Sequence, residues 1–338
     1  PPMKLFKEKV KPHHLHFAHG WLWGVAVFGI AILVTIGVRD GYFRYWFGSD
    51  YKIVNAHEVV QSEKEESKLA QVMRTVNIKA TVLVGTPFEI LYYDEKKGFS
   101  GYEKNNEAVL KLQKNNPGRF IAFCTVNPED ANAVSVAEDC VKTGAKGFKI
   151  YTGHSFFYDK PLNDSSVLPF YKFVQEKGLP LMFHVNSAKY QAEFEEVLKM
   201  YSDLKVICPH FCLTSSNLQR LSYLFDNYPN LYTDLSFGDE VYLLEGLERI
   251  SKDPKKYKEF VEKYADRFFY GTDIVVTDYE GKNEYWLAQL FQIYRDLLEK
   301  DKFLVFLAED PNKFYNGLGL SHEVLKKIYE TNWEKLWK

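Results

Sequence analysis

From Tyr51 to the C-terminus the chain repeats one unit eight times: a short β-rich run, a turn, then an amphipathic helical stretch. The β-rich runs are KIVNAHEV (52–59), ATVLVGT (80–86), FIAFCTV (120–126), GFKIYTG (147–153), LPLMFHVN (179–186), KVICPHF (205–211), LYTDLSF (231–237) and RFFYGTDIVV (267–276). Helical patterns such as ESKLAQVMRTV, SVAEDCVKTG, SVLPFYKFVQEKG and EFEEVLKMYSD fill the gaps. Gly144, Gly178 and the Asn-Pro-Gly of Asn116 to Gly118 stand where helices should stop. Such alternation predicts a parallel α/β sheet, and eight units close naturally into a (β/α)8 TIM barrel. The rival architecture is an open doubly wound sheet. No G-x-G-x-x-G follows the first run, which removes that fold's best signature.

A second feature precedes the repeat. Gly20 to Val38 reads GWLWGVAVFGIAILVTIGV, with no charged residue, long enough to cross the roughly 30 Å hydrocarbon core as a helix. Trp21 and Trp23 at one end, and Tyr42, Tyr45 and Trp46 beyond the other, fit interfacial aromatic belts. The chain thus divides into a tail (1–19), a transmembrane helix (20–38), a linker (39–50) and the barrel (51–338). Lys4, Lys7, Lys9 and Lys11 precede the span, so the N-terminus is expected in the cytoplasm and the barrel on the extracytoplasmic side, held by an uncleaved signal anchor. His13, His14, His16 and His19 cluster before the span; a metal site is one reading of them, and the expected one is a place in the polar headgroup region.

The net charge of −2 and the lack of a basic stripe exclude general attraction to nucleic acid. The four cysteines form no C-x-x-C pair and are too few for a disulfide framework. Cys208 and Cys212 bracket His210, which raises a metal-site reading. Cys124 and Cys208 lie in apolar runs, however, and the cysteines are read as small buried hydrophobes.

Catalytic residues of a barrel belong at the C-terminal ends of its strands. His57, Lys149, His184 and His210 fall late in the first, fourth, fifth and sixth runs, and Asp273 falls in the eighth. Imidazole and carboxylate converging at one end suit zinc or a similar divalent ion.

These residues resemble a known family. Val-Asn-Ala-His-Glu (54–58), Gly-Phe-Lys-Ile-Tyr (147–151), Phe-His-Val (183–185), Cys-Pro-His-Phe (208–211), Asn-Leu-Tyr-Thr-Asp-Leu-Ser (230–236) and Tyr-Gly-Thr-Asp (270–273) are similar to the amidohydrolase-related family that includes aminocarboxymuconate semialdehyde decarboxylase. The ending from Gly319, with Asn332 near the last turn, resembles that family's closing helix. The resemblance implies one divalent ion, a zinc, with His57, His184 and Asp273 as ligands. His210 then serves as acid/base or orienting group, Asp273 acts in catalysis, and Lys149 contacts a small-molecule substrate or, carbamylated, bridges metals.

The chain departs from the pattern at the first strand. The family's His-x-His is here His57-Glu58-Val59, and valine cannot coordinate. Glu58 should face away from the barrel interior by strand alternation. Asn55 stands where an acidic residue often precedes the motif, and Phe211 and Cys212 follow His210 where relatives often have small residues. Three ligands and an open position still make a catalytic zinc site. The expectation is a membrane-anchored, metal-dependent hydrolase of a C–N or C–O bond. The alternatives are a metal-dependent decarboxylase of an unsaturated or aromatic acid, or a noncatalytic subunit of a membrane complex. Partners follow from these readings: the membrane, a membrane protein or a second copy of the chain.

Overall fold

Eight strands pair in parallel and in chain order: β1 (Ile53–Val60), β2 (Ile78–Gly85), β3 (Phe120–Thr125), β4 (Gly147–Gly153), β5 (Leu181–Val185), β6 (Val206–Ile207), β7 (Leu231–Asp234) and β8 (Phe268–Phe269). The computed structural model describes residues 51–85, 99, 101–238, 240–308, 310 and 312–337, all within the compact unit Tyr51–Lys338. The sheet closes on itself. Ala56 N–H donates to the Tyr270 carbonyl at 2.7 Å and Val276 N–H to the Val59 carbonyl at 2.8 Å. Val60 also pairs in parallel with Val276. The fold is a (β/α)8 TIM barrel.

Helices α1 (Glu66–Thr75), α2 (Glu103–Asn115), α3 (Ala133–Thr143), α4 (Leu168–Glu176), α5 (Gln191–Met200), α6 (Leu218–Asn227), α7 (Glu240–Lys252), α8 (Pro254–Lys263) and α9 (Glu284–Glu299) lie between or after the strands. Each turns an apolar stripe inward. In α1 the stripe is Leu69, Ala70, Val72 and Met73, the helical spacing that covers one face. Gly144 ends α3 at φ 109°, a conformation glycine adopts without the steric penalty of a Cβ. Every residue of β4 is buried, because helices cover one face of the sheet and the barrel interior the other.

The N-terminal end of the barrel is plugged by the closing helix, α10 (His322–Lys326), which continues through a wider turn (Lys327–Thr331) into Asn332–Lys335. Trp333 stacks on Phe123 at 6.3 Å and meets Phe269 edge-on at 6.1 Å. Asn332 Nδ2 donates to the carbonyls of Ala265 and Phe268 at 2.7 and 2.9 Å. Ala265 precedes β8, so this contact sits at the strand starts and leaves the strand ends for the site. A short antiparallel pair, β9 (Lys302–Leu304) and β10 (Phe314–Asn316), is appended after α9.

Two strands are much shorter than their apolar runs. The run at 205–211 forms a strand only over Val206–Ile207, and the run at 267–276 only over Phe268–Phe269, apart from the single bridge at Val276. Pro209 has no N–H for the ladder, and the chain then turns left-handed at His210 through Leu213. After β8, left-handed residues Asp273 and Val275 bend the chain away. His210 and Asp273 therefore stand in turns beyond their strands rather than within them.

The cysteines require a correction. All four are buried, as small hydrophobes should be, yet they form two disulfides, Cys124–Cys140 and Cys208–Cys212. Read as one extended strand, Cys208 and Cys212 would stand about 13 Å apart, beyond bonding reach. The left-handed turn brings their Cα atoms to 4.9 Å. The apolar stretch 20–38 lies outside the described residues. Among those described, no helix is long and apolar enough to cross a membrane.

Candidate active site

The site is built around Asp234, the last residue of β7, which is fully buried. Its Oδ2 lies 2.9 Å from His57 Nδ1. Its Oδ1 accepts the Ser236 hydroxyl at 2.6 Å and the His210 backbone N–H at 2.9 Å. Ser236 Oγ also lies 2.9 Å from His210 Nδ1. Because that hydroxyl donates its only proton to Asp234, it accepts from His210, which fixes a proton on Nδ1. An ionised Asp234 fixes a proton on His57 Nδ1 in the same way. In the neutral form of each ring the second nitrogen, Nε2, is the free lone pair, and both Nε2 atoms face Asp273. His57 Nε2 lies 3.4 Å from Asp273 Oδ1, and His210 Nε2 lies 3.2 Å from Oδ2.

Asp273 is presented by a left-handed turn, with φ 49° at Asp273 and 61° at Val275. The neighbours of His57 hold that turn. Glu58 accepts from the Thr272 hydroxyl at 2.5 Å and the Val275 N–H at 2.9 Å. Asn55 Nδ2 donates to Thr272 Oγ1 at 2.7 Å, and Asn55 Oδ1 accepts the Thr272 N–H at 3.2 Å. Glu58 is thus buried against the loop 272–275 and does not reach the histidines. Gly238 leaves room beside the site; a Cβ there would lie 3.6 Å from Asp273 Oδ2 and 3.9 Å from His210 Cε1.

His210 has φ 60°, Phe211 53°, Cys212 56° and Leu213 54°. Left-handed backbone costs an L-residue about 1–2 kcal/mol, so four in succession persist only where the surroundings enforce them. Phe211 is held between Phe237 and Phe268 at ring distances of 5.7 and 5.6 Å. Ser187 Oγ donates to the Cys212 carbonyl at 2.8 Å.

Electrostatics keep the group ready for a cation. Burial would raise the carboxyl of Asp234, but its hydrogen bonds with His57 and Ser236 hold it well below the usual carboxylate range. Burial likewise opposes ionisation of Asp273, and His57 and His210 outweigh it, so its pKa is lowered. Burial lowers His57 and lowers His184 strongly. It also drops His154 to about 4. These rings are neutral at neutral pH, the state a metal ligand requires.

Lys149 is fully buried, and its Nζ lies 3.0 Å from His57 Nε2 and 4.9 Å from the centre of the Tyr151 ring. Burial brings its amine down to about 8. His184 is half-buried at the end of β5, its ring 5.1 Å from that of His210 and 4.5 Å from that of His154. Of the sequence-derived candidates, the structure groups His57, His210 and Asp273, whose ligand atoms all lie within 4.8 Å of one another. His184 stands beside this group, and Lys149 against its His57 edge. Val59, at the motif's second histidine position, is buried in the apolar interior with Ala56, Val84 and Phe123.

Sequence reasoning did not single out Asp234, Ser236 or His154. Asp234 and Ser236 sit in the Thr-Asp-Leu-Ser stretch at the end of the seventh strand, where a strand-end rule could have found them. His154, one residue past β4, carried no such signal. Two imidazoles and a carboxylate, with both Nδ1 atoms already engaged, match the donor chemistry of zinc and similar ions. The residues fit a metal centre.

The amidohydrolase family model matches residues 92–338. No curated protein sequence matches the chain. Among solved structures, the fold is similar to an uncharacterized TIM-barrel protein from Bordetella bronchiseptica, with TM-score 0.56 and 14% identity over 84% of this chain and 98% of that one. It is similar to 5-carboxyvanillate decarboxylase from Sphingomonas paucimobilis, with TM-score 0.52 and 14% identity over 85% and 99%. It is similar also to a probable 2-pyrone-4,6-dicarboxylic acid hydrolase from Acinetobacter baumannii, with TM-score 0.54 and 14% identity over 85% and 99%. At these identities the solved structures speak for the fold alone, and the family match covers most of the chain: it belongs to the amidohydrolase family.

Proposed function

We propose that this protein is a metal-dependent hydrolase of a C–N or C–O bond in a small molecule, with one divalent ion, a zinc, held by His57, His210 and Asp273. The observation that carries the reading is the pair of imidazoles whose Nδ1 atoms are fixed by Asp234 and Ser236 while both Nε2 atoms face Asp273. When bound, such an ion brings the pKa of a water to about 7 and polarises a carbonyl. The chain's own residues do the rest. Asp234 holds His57 in one tautomer directly, and His210 through the Ser236 hydroxyl. His184, neutral beside His210, is placed to take or return a proton. Lys149 offers a buried cation to an acidic or carbonyl oxygen of the substrate.

The family resemblance divides the roles differently, with His184 as ligand and His210 in proton transfer. The grouping of donor atoms favours His210 as the ligand. A cation at Lys149 also suits a substrate carboxylate, the group that the pyrone hydrolase and the decarboxylase among the similar structures have in their named substrates. We therefore place the substrate among small organic acids carrying an ester, lactone or amide.

The test is elemental analysis of the full chain purified without chelator, followed by turnover of lactone, ester and N-acyl acids before and after metal removal. Stoichiometric metal, loss of hydrolysis on chelation and recovery with zinc are expected. Carbon dioxide release from aromatic acids without hydrolysis would replace this reading with the decarboxylase. Absence of both metal and turnover would leave the noncatalytic subunit.

We also propose that residues 20–38 anchor the chain with its barrel outside the cytoplasm. The two disulfides of the barrel support this side, since such bonds persist in oxidising compartments. Protease added to intact cells should digest the barrel, and full protection would reverse the orientation.

A further inference from the structure

We infer that the Cys208–Cys212 disulfide is a positioning element of the active site: it holds the left-handed turn that carries His210 and so keeps His210 Nε2 against Asp273. Sequence run and backbone conflict at this point. Residues 205–211 have the composition of a strand, and their extended continuation would carry the His210 ring away from Asp273. The backbone instead reverses through four successive left-handed residues, none of them glycine or asparagine, in a region L-residues avoid. Two hydrogen bonds close the turn on itself, Leu213 N–H to the His210 carbonyl at 2.9 Å and Thr214 N–H to the Phe211 carbonyl at 3.0 Å.

The disulfide adds what those bonds lack. It joins the residues on either side of Pro209–Phe211 with both sulfur-bearing residues fully buried. A Cα separation of 4.9 Å is incompatible with the roughly 13 Å that four extended steps would span. The bond therefore excludes the extended alternative outright. Asp234 then reads the result, accepting the His210 N–H at 2.9 Å while it orients His57. One carboxylate thus registers both histidines only while the turn is closed.

The experiment compares the full chain with two variants, Cys208→Ser/Cys212→Ser and Cys208→Ser/Cys212→Gly/Leu213→Gly. The second also lacks the bond but places glycine, which adopts left-handed backbone freely, at two of the four positions. Leu213 is partly exposed, so its removal spares the core. The first readout is amide hydrogen exchange over residues 210–214, and the second, resting on the metal reading above, is zinc affinity by chelator competition. In the serine pair, exchange of the His210 amide should rise at least about tenfold and zinc affinity fall about 10–100-fold, as for loss of a partner that orients a ligand. The glycine triple should recover most of both. Unchanged exchange and affinity in the serine pair would overturn the inference. So would losses in both variants without recovery by glycine, or failure of the glycine triple to fold. Exchange that rises in the serine pair and recovers in the triple, while even the wild type binds no zinc, would sustain the positioning role and overturn the metal reading.

Discussion

Asp234→Asn is the substitution that most directly tests the site. Asp234 Oδ1 accepts three donors, from Ser236 Oγ, His210 N and Ser236 N, and Oδ2 faces His57 Nδ1 alone. An asparagine will keep its oxygen where three protons converge and turn its NH2 toward His57. His57 must then accept at Nδ1 and carry its proton on Nε2, the atom proposed to hold the metal. Binding would require returning that proton to Nδ1, where it meets the asparagine NH2 and stays unsatisfied, at about 1–3 kcal/mol. Orienting partners of ligands typically account for about 10–100-fold in affinity, or about 1.4–2.8 kcal/mol, and the two figures agree. The three donors to Oδ1 keep the amide oxygen as their partner, and the buried contact given up is that of Lys149 Nζ with His57 Nε2. Replacing a charged acceptor by a neutral one costs about 1 kcal/mol, a shift of about 2–4 °C in Tm for a domain near this size. Asp234→Ala is the contrast: it strands His57 Nδ1–H, the His210 N–H and Ser236, each at about 1–3 kcal/mol. The assays are zinc titration against a competing chelator and calorimetric Tm. Wild-type zinc affinity in Asp234→Asn would refute the claim that the tautomer of His57 matters, and with it His57 as a ligand.

Other substitutions separate the remaining roles. His210→Ala should lose bound metal while His184→Ala keeps it and loses turnover by about 10²–10⁴-fold; elemental analysis showing the reverse would restore the division that the family resemblance implies. Burial raises Glu58 to about 7 from an ordinary 4.5, so the folded state binds its proton more tightly than the unfolded one. Stability should therefore fall as pH rises from about 4.5 to 7, by at most about 3 kcal/mol. Denaturant titrations should find that slope flattened in Glu58→Gln and present in wild type. Lys149→Met removes the buried cation at His57; steady-state kinetics should find KM for an acidic substrate raised at least about tenfold with metal content intact. An unchanged KM would free Lys149 of any substrate role.

The barrel was readable because its determinants are local and repeated. Eight runs with helical stretches between them can bury both faces of a parallel sheet in few other ways, and Gly144 and Gly178 mark helix ends by a conformation that costs other residues more. The lengths of β6 and β8 were not readable. Their runs keep strand composition to the end, and nothing in Cys-Pro-His-Phe-Cys or in Gly-Thr-Asp-Ile-Val announces a left-handed turn made of non-glycine residues. Those turns depend on partners distant in sequence: Asp234 for His210, Asn55 and Glu58 for Asp273. The disulfide at 208–212 escaped for the same reason, since an extended run keeps Cys208 and Cys212 beyond bonding reach and only the turn brings them to 4.9 Å.

The same dependence accounts for what β1 does here. A strand bearing His-x-His supplies two ligands from its own side chains. This β1 carries one candidate ligand, His57, and turns Val59 into the apolar interior. The residues flanking His57 take on another task. Asn55 and Glu58 grip Thr272 and the N–H of Val275, which sets the left-handed turn and directs Asp273 at His57 and His210. β1 therefore still positions two donors, one of its own and one borrowed from the loop after β8. The histidine that is absent matters less to the geometry than the polar pair that remains. Removing Asn55 or Glu58 should displace Asp273 while leaving His57 in place, and replacing Val59 should leave both untouched.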